Sequence, residues 1–146
     1  MPSNKPIKKT NGEHFLVMLA SKQVIETIIK LAETNQDIDV VWLYGSRATN
    51  KHKDHSDYDI AIAFKNFKLS SFDKYLRPNV LAIEWCEETG LNSDKLSVVD
   101  INQAPIYLAF NIVEDGVVIY QAATARAFTE QNRIYAQYEY QKREAE

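Results

Sequence analysis

Cysteine is nearly absent: Cys86 stands alone among 146 residues. No internal disulfide can form, and such usage suits a reducing cytosol. Positive charge is also short, with Lys+Arg 17 against Asp+Glu 20 and a formal net charge of -3. That balance argues against a broad nucleic-acid-binding surface, which normally carries a basic excess. No stretch approaches the ~20 consecutive apolar residues that span a bilayer. The polar, basic residues 1–12 hold no apolar core of a secretory leader, so the chain is expected to be cytoplasmic. There is no internal repeat, low-complexity tract or second core. Enough apolar residues are present, 45% of the chain, for one domain of ordinary size without staples.

What is there begins with Val40-Val41-Trp42-Leu43-Tyr44, an apolar run rich in β-branched and aromatic residues that predicts a strand. It runs into Gly45-Ser46-Arg47. A loop follows, and Ser56-Asp57-Tyr58-Asp59-Ile60-Ala61-Ile62 then opens a second predicted strand, Tyr58 to Phe64. Side chains alternate faces along a strand at roughly 3.3 Å per residue, so Asp57 and Asp59 share a face about 7 Å apart. Paired hard oxygen donors suit magnesium. A glycine after a strand lets the backbone approach phosphate closely, and Ser46 adds a hydroxyl donor. A short helix after Ser46 would favour a triphosphate at its N-terminus. Arg47, Lys51 and Lys53 lie near enough in sequence to screen that charge. Strand, Gly-Ser, ten residues, Asp-x-Asp, strand is an order that can grip a nucleoside triphosphate with its metal ions, and it points to nucleotidyl transfer.

These residues resemble the signature of the polymerase-beta-like nucleotidyltransferase superfamily, in particular its minimal branch, the MNT antitoxins encoded beside HEPN toxins. The likeness extends through Val98-Val99-Asp100-Ile101-Asn102-Gln103-Ala104-Pro105 and Gly116-Val117-Val118-Ile119-Tyr120, and it covers the chain from about Val40 to the final helix. It implies an α/β (α+β) domain with a small mixed β-sheet flanked by helices. Asp57 and Asp59 would be catalytic and bind Mg2+, while Gly45, Ser46 and Arg47 would bind the nucleotide. ATP would be the substrate and a HEPN-type toxin the partner, AMP passing to a hydroxyl such as that of a tyrosine. The family's third strand usually brings a third catalytic acid, and aligned on Asp100-Ile101-Asn102 that position is Ser97 here. Asp100 is three residues further on and falls on the opposite strand face; it is expected to cap the following helix. Asp94 has the same odd offset unless it lies in the preceding turn. Two readings stay open: a transferase of reduced activity, and an inactive module that neutralises a toxin by occupying it. A small-molecule modifier fits less well, because such enzymes usually add a domain for the acceptor.

The remaining elements follow from periodicity and punctuation. Residues 1–12 read as a flexible basic tail and residues 13–146 as one domain. A helix runs over residues 13–33, with a possible break near Ser21. A second is predicted from Pro78 to Gly90 with Leu81, Trp85 and Cys86 inward. A strand is predicted over residues 96–99, a helix over residues 103–114, a short strand over residues 117–120 and a closing helix over about 122–146. In that last helix Phe128 is expected to dock on the sheet, whereas Tyr135, Tyr138 and Tyr140 are candidates for contact with a partner helix. His52 and His55 read as members of a solvated loop, since a metal site would need further ligands. The spacing of Arg47 and His52 matches the Arg-x4-His of HEPN ribonucleases by chance, because those domains are helical bundles and this segment follows a strand.

Overall fold

The computed structural model describes residues 4–53 and 55–146, with side chains from residue 19 onward. In chain order it comprises α1 (Asn4–Glu33), β1 (Ile38–Tyr44), a 3-10 turn (Gly45–Arg47), β2 (Tyr58–Phe64), α2 (Ser71–Thr89), a second 3-10 turn (Ser93–Lys95), β3 (Leu96–Asp100), α3 (Ile106–Asp115), β4 (Val117–Gln121) and α4 (Arg126–Ala145). The four strands form one sheet in the order β3-β2-β1-β4. β1 runs antiparallel to both neighbours, while β2 and β3 are parallel and joined through α2. This is the mixed sheet between helices expected from the polymerase-beta-like pattern.

Every residue of β1 is buried, as a central strand covered on both faces requires. On one face Val41, Leu43, Ile60, Ile62 and Phe64 pack with Ile28 and Ala32 of α1 and with Leu81 and Trp85 of α2. On the other, Val40, Trp42, Ala61 and Ala63 meet Ala109 and Ile112 of α3 and Ile134 of α4. Trp42 pairs with Ala61 and Val40 with Ala63, so large side chains on β1 lie beside small ones on β2, filling the layer without crowding the helices. No helix among the described residues is long and apolar enough to cross a membrane.

Several boundaries differ from those read in the sequence. α1 is continuous through Ser21 and includes residues 4–12, read above as a tail. Lysine is a good helix former, and Pro6 falls in the first turn, where its missing N–H costs nothing. α2 begins at Ser71 and not at Pro78, which lies inside it; the start signal is Ser70, whose Oγ accepts the Asp73 N–H at 3.1 Å. Gly90 does stop that helix in the left-handed conformation, at φ 77°. Asp100 does not cap α3: its Oδ1 accepts the Asn102 N–H at 2.8 Å and so closes a turn ahead of the helix. Phe128 is 65% exposed, and Ile134, fully buried, anchors α4 instead.

At the end of the sheet that carries Asp39, Phe64 and Asp100, charged side chains are buried in opposite-sign pairs. Arg126 of α4 donates from Nε to Glu130 at 2.8 Å, from Nη1 to Asp39 at 3.3 Å and to the Phe64 carbonyl at 2.9 Å, and from Nη2 to Asn102 at 2.7 Å. Burial alone would raise the Glu130 carboxyl, but hydrogen bonds from Arg126, Asn102 and Arg133 outweigh it and hold the group below the ordinary glutamate value. Removing the shared cation leaves Asp39 with Lys65 at 3.9 Å as its ion-pair partner and Glu130 with Asn102 and Arg133 alone. Arg126→Ala is expected to cost about 3 kcal/mol of stability, read from the midpoint of urea unfolding.

Candidate active site

The β1–β2 register places Tyr44 opposite Asp59, so the bend that follows β1 arrives beside the start of β2. Gly45 takes φ 75° there, and a Cβ on it would run into the Asp59 carboxylate. Only glycine supplies that backbone and that clearance together. Asp59 lies on the sheet face of Ala61 and Ala63, and Asp57, two residues earlier, has the same parity. The two charges feel one another: burial, and then the Asp57 carboxylate, raise the Asp59 carboxyl above the ordinary aspartate range. The Tyr44 phenol, inconspicuous in the sequence, belongs to the same cluster. Burial and the Asp59 charge push it up to about 12.

Ser97 is the register neighbour of Asp59 across the parallel β2–β3 pair. Leu96 and Val98 point into the core shared with α2, so Ser97 faces the side of the sheet that carries the two carboxylates. It is exposed. Asp100 lies on the other face, 3.6 Å from Arg77 of α2. Asp94 sits in the turn before β3, where its charge, after burial, raises the Cys86 thiol of α2. It belongs to the α2 side and does not make up the triad. Among the described residues no group of three His, Cys, Asp or Glu side chains could hold a metal ion by itself.

Arg47 differs from its expected role. It is buried and turned to the opposite face, donating to Ser21 Oγ at 3.1 Å and to the Ser56 carbonyl at 2.8 Å, with its guanidinium 3.8 Å from the centre of the Tyr58 ring. Sequence proximity carries no information about which way a long side chain turns. Ser46 lies within a single 3-10 turn, Gly45–Arg47, that no helix follows, too short for a helix dipole to act on phosphate. Tyr135 and Tyr138 each make a contact within the chain and remain part-exposed. Tyr135 donates to Glu114 at 2.7 Å, and Tyr138 stacks on Phe110 of α3 at 3.8 Å between ring centres.

Two like-charged carboxylates beside a glycine bend are a donor set that fits one divalent cation shared with a polyphosphate. The family described as Polymerase beta, Nucleotidyltransferase matches residues 26–125. This chain belongs to that family. Among individual nucleotidyltransferases, it is 32% identical over 84 residues to the protein adenylyltransferase MntA of Aphanizomenon flos-aquae (strain 2012/KM1/D3), which is 54% of this chain and 54% of that protein. The chain thus matches about half the length of this curated relative. Its fold is also that of a chain in a toxin–antitoxin crystal structure with AMP-PNP, at TM-score 0.65 and 19% identity over 82% of this chain and 90% of the other. A chain of the tri-AMPylated Shewanella oneidensis HEPN toxin in complex with MNT antitoxin gives TM-score 0.61 and 18% identity over 84% and 90%.

The raised Asp59 carboxyl makes a pH-dependent prediction. Its folded-state value lies above that of an ordinary aspartate, so folding favours the protonated form; that contribution to stability is full in acid and is lost as pH rises through the folded value. Asp59→Asn is therefore expected to resist urea better than the parent chain at about pH 7, with the difference shrinking towards about pH 3.

Proposed function

We propose that the chain is a minimal nucleotidyltransferase of the MNT antitoxin kind, which transfers AMP from ATP to a tyrosine hydroxyl of a HEPN-type toxin and releases pyrophosphate. The observation that carries this reading is the apposition of Gly45 and Asp59 with Asp57 on the same face. The Gly45–Ser46 bend would receive the triphosphate, Ser46 offering its hydroxyl and the glycine its clearance. Asp57 and Asp59 would hold Mg2+, which when bound neutralises charge on the phosphate oxygens and the departing pyrophosphate. The relative named as a protein adenylyltransferase and the neighbours with AMP-PNP or an AMPylated toxin support the same reading.

Ser97 limits the rate. A carboxylate beside Asp59 would bind metal and take a proton from the acceptor hydroxyl, and a neutral serine does neither at comparable strength. The same observation favours a second reading, in which the chain neutralises its toxin by occupying it and the nucleotide site is a relic.

Incubation with ATP, Mg2+ and the protein encoded by the adjacent gene, followed by intact-mass measurement of both chains, separates the two. Slow addition of AMP units to the neighbour is expected, accelerated by about a hundredfold in Ser97→Asp. A stable complex whose masses change with neither form would leave occlusion as the function.

A further inference from the structure

Asp57 is exposed and precedes the first residue of β2, and none of the hydrogen bonds found among the described residues reaches its carboxylate. Among the described residues nothing at the side chain holds it beside Asp59, and like-charge repulsion works to separate them. Its position must be imposed through the backbone, and the chain on either side of it is gripped closely. The Ser56 carbonyl, which shares a peptide plane with the Asp57 N–H, accepts Arg47 Nε at 3.1 Å and Nη2 at 2.8 Å. The same Nη2 donates to the Lys53 carbonyl at 3.3 Å. On the far side of Asp57, the Tyr58 ring lies under the Arg47 guanidinium at 3.8 Å. Arg47 is itself immobilised, 6% exposed and bonded to Ser21 of α1. From the turn before β3, Lys95 Nζ reaches the His55 carbonyl at 2.9 Å.

We propose that Arg47 and Lys95 are positioning residues: from opposite sides they fix the backbone around Asp57, so that its carboxylate stays beside that of Asp59 and the two share a divalent cation. This rests on the reading of Asp57 and Asp59 as the cation site. It gives Arg47 a role different from phosphate binding and gives Lys95, which no motif singles out, a place in the same device. A planar guanidinium suits the task because its fork donates to two carbonyls while its face covers an aromatic ring. Lysine in its place keeps the charge and loses that geometry.

The test is calorimetric titration of the full chain with Mn2+ in the presence of AMP-PNP, set beside AMP-PNP without metal, for the parent, Lys95→Met and Arg47→Lys. Lys95→Met keeps the aliphatic stem, and Arg47→Lys avoids the emptied site that Arg47→Ala would leave. Each variant is expected to bind Mn2+ about tenfold more weakly, a hydrogen bond to a charged donor being lost, with metal-free nucleotide binding unchanged. Variants that bind both like the parent, or that lose both equally, would overturn the positioning role and leave the cation site standing. A parent chain that binds nucleotide and no Mn2+ would overturn the cation site itself, and this inference with it.

Discussion

The antiparallel pairing of β1 with β2, in which Tyr44 lies opposite Asp59, is the constraint from which the site follows. It places the end of one strand against the beginning of the next, so that a glycine bend and a carboxylate meet without either being chosen for the other's side chain. A slip of one residue would turn Asp59 to the opposite face and bring a different residue against Gly45. What prevents the slip lies in the core, where Trp42 beside Ala61 and Val40 beside Ala63 match large to small under α3 and α4. The packing of the second face and the geometry of the candidate active site are therefore one specification. The parallel register of β3 extends it by setting Ser97 beside Asp59.

The two ends of the sheet treat charge in opposite ways. Near Asp39 and Asp100, carboxylates are buried with arginines that reach them from α2 and α4. Near Gly45, Asp59 has another acid and a phenol as its electrostatic neighbours, and its protonation is displaced upward by burial and repulsion. Two acids that repel one another are a donor set that a divalent cation complements, which accords with the reading proposed above.

Much of this was legible before any coordinates. The β-branched and aromatic composition of β1 and β2 marked both strands, and period-two alternation placed Asp57 and Asp59 together and Asp100 apart from Ser97. Gly45 and Gly90 announced a bend and a helix stop. The misreadings share a physical cause, in that a linear pattern states which residues are near but not where they turn. Arg47 follows directly on the phosphate-binding bend and yet folds back over Tyr58. Pro78 reads as a helix start, and the Ser70 cap carries no weight in that reading, although a buried proline inside α2 is what the fold contains. Lys95 could not be found from spacing at all, since its partner is a backbone carbonyl forty positions away.

The division of the sheet into a pole of closed ion pairs and a pole of open repulsion has an evolutionary corollary. Residues that secure the native state and residues that would perform chemistry scarcely overlap, so drift at one pole need not be punished at the other. An ancestor could exchange an acid for Ser97 and remain as well folded as before, or sturdier. Inert and competent members of such a lineage would then look alike in stability and architecture, and only the occupancy of a few positions around Asp59 would tell them apart.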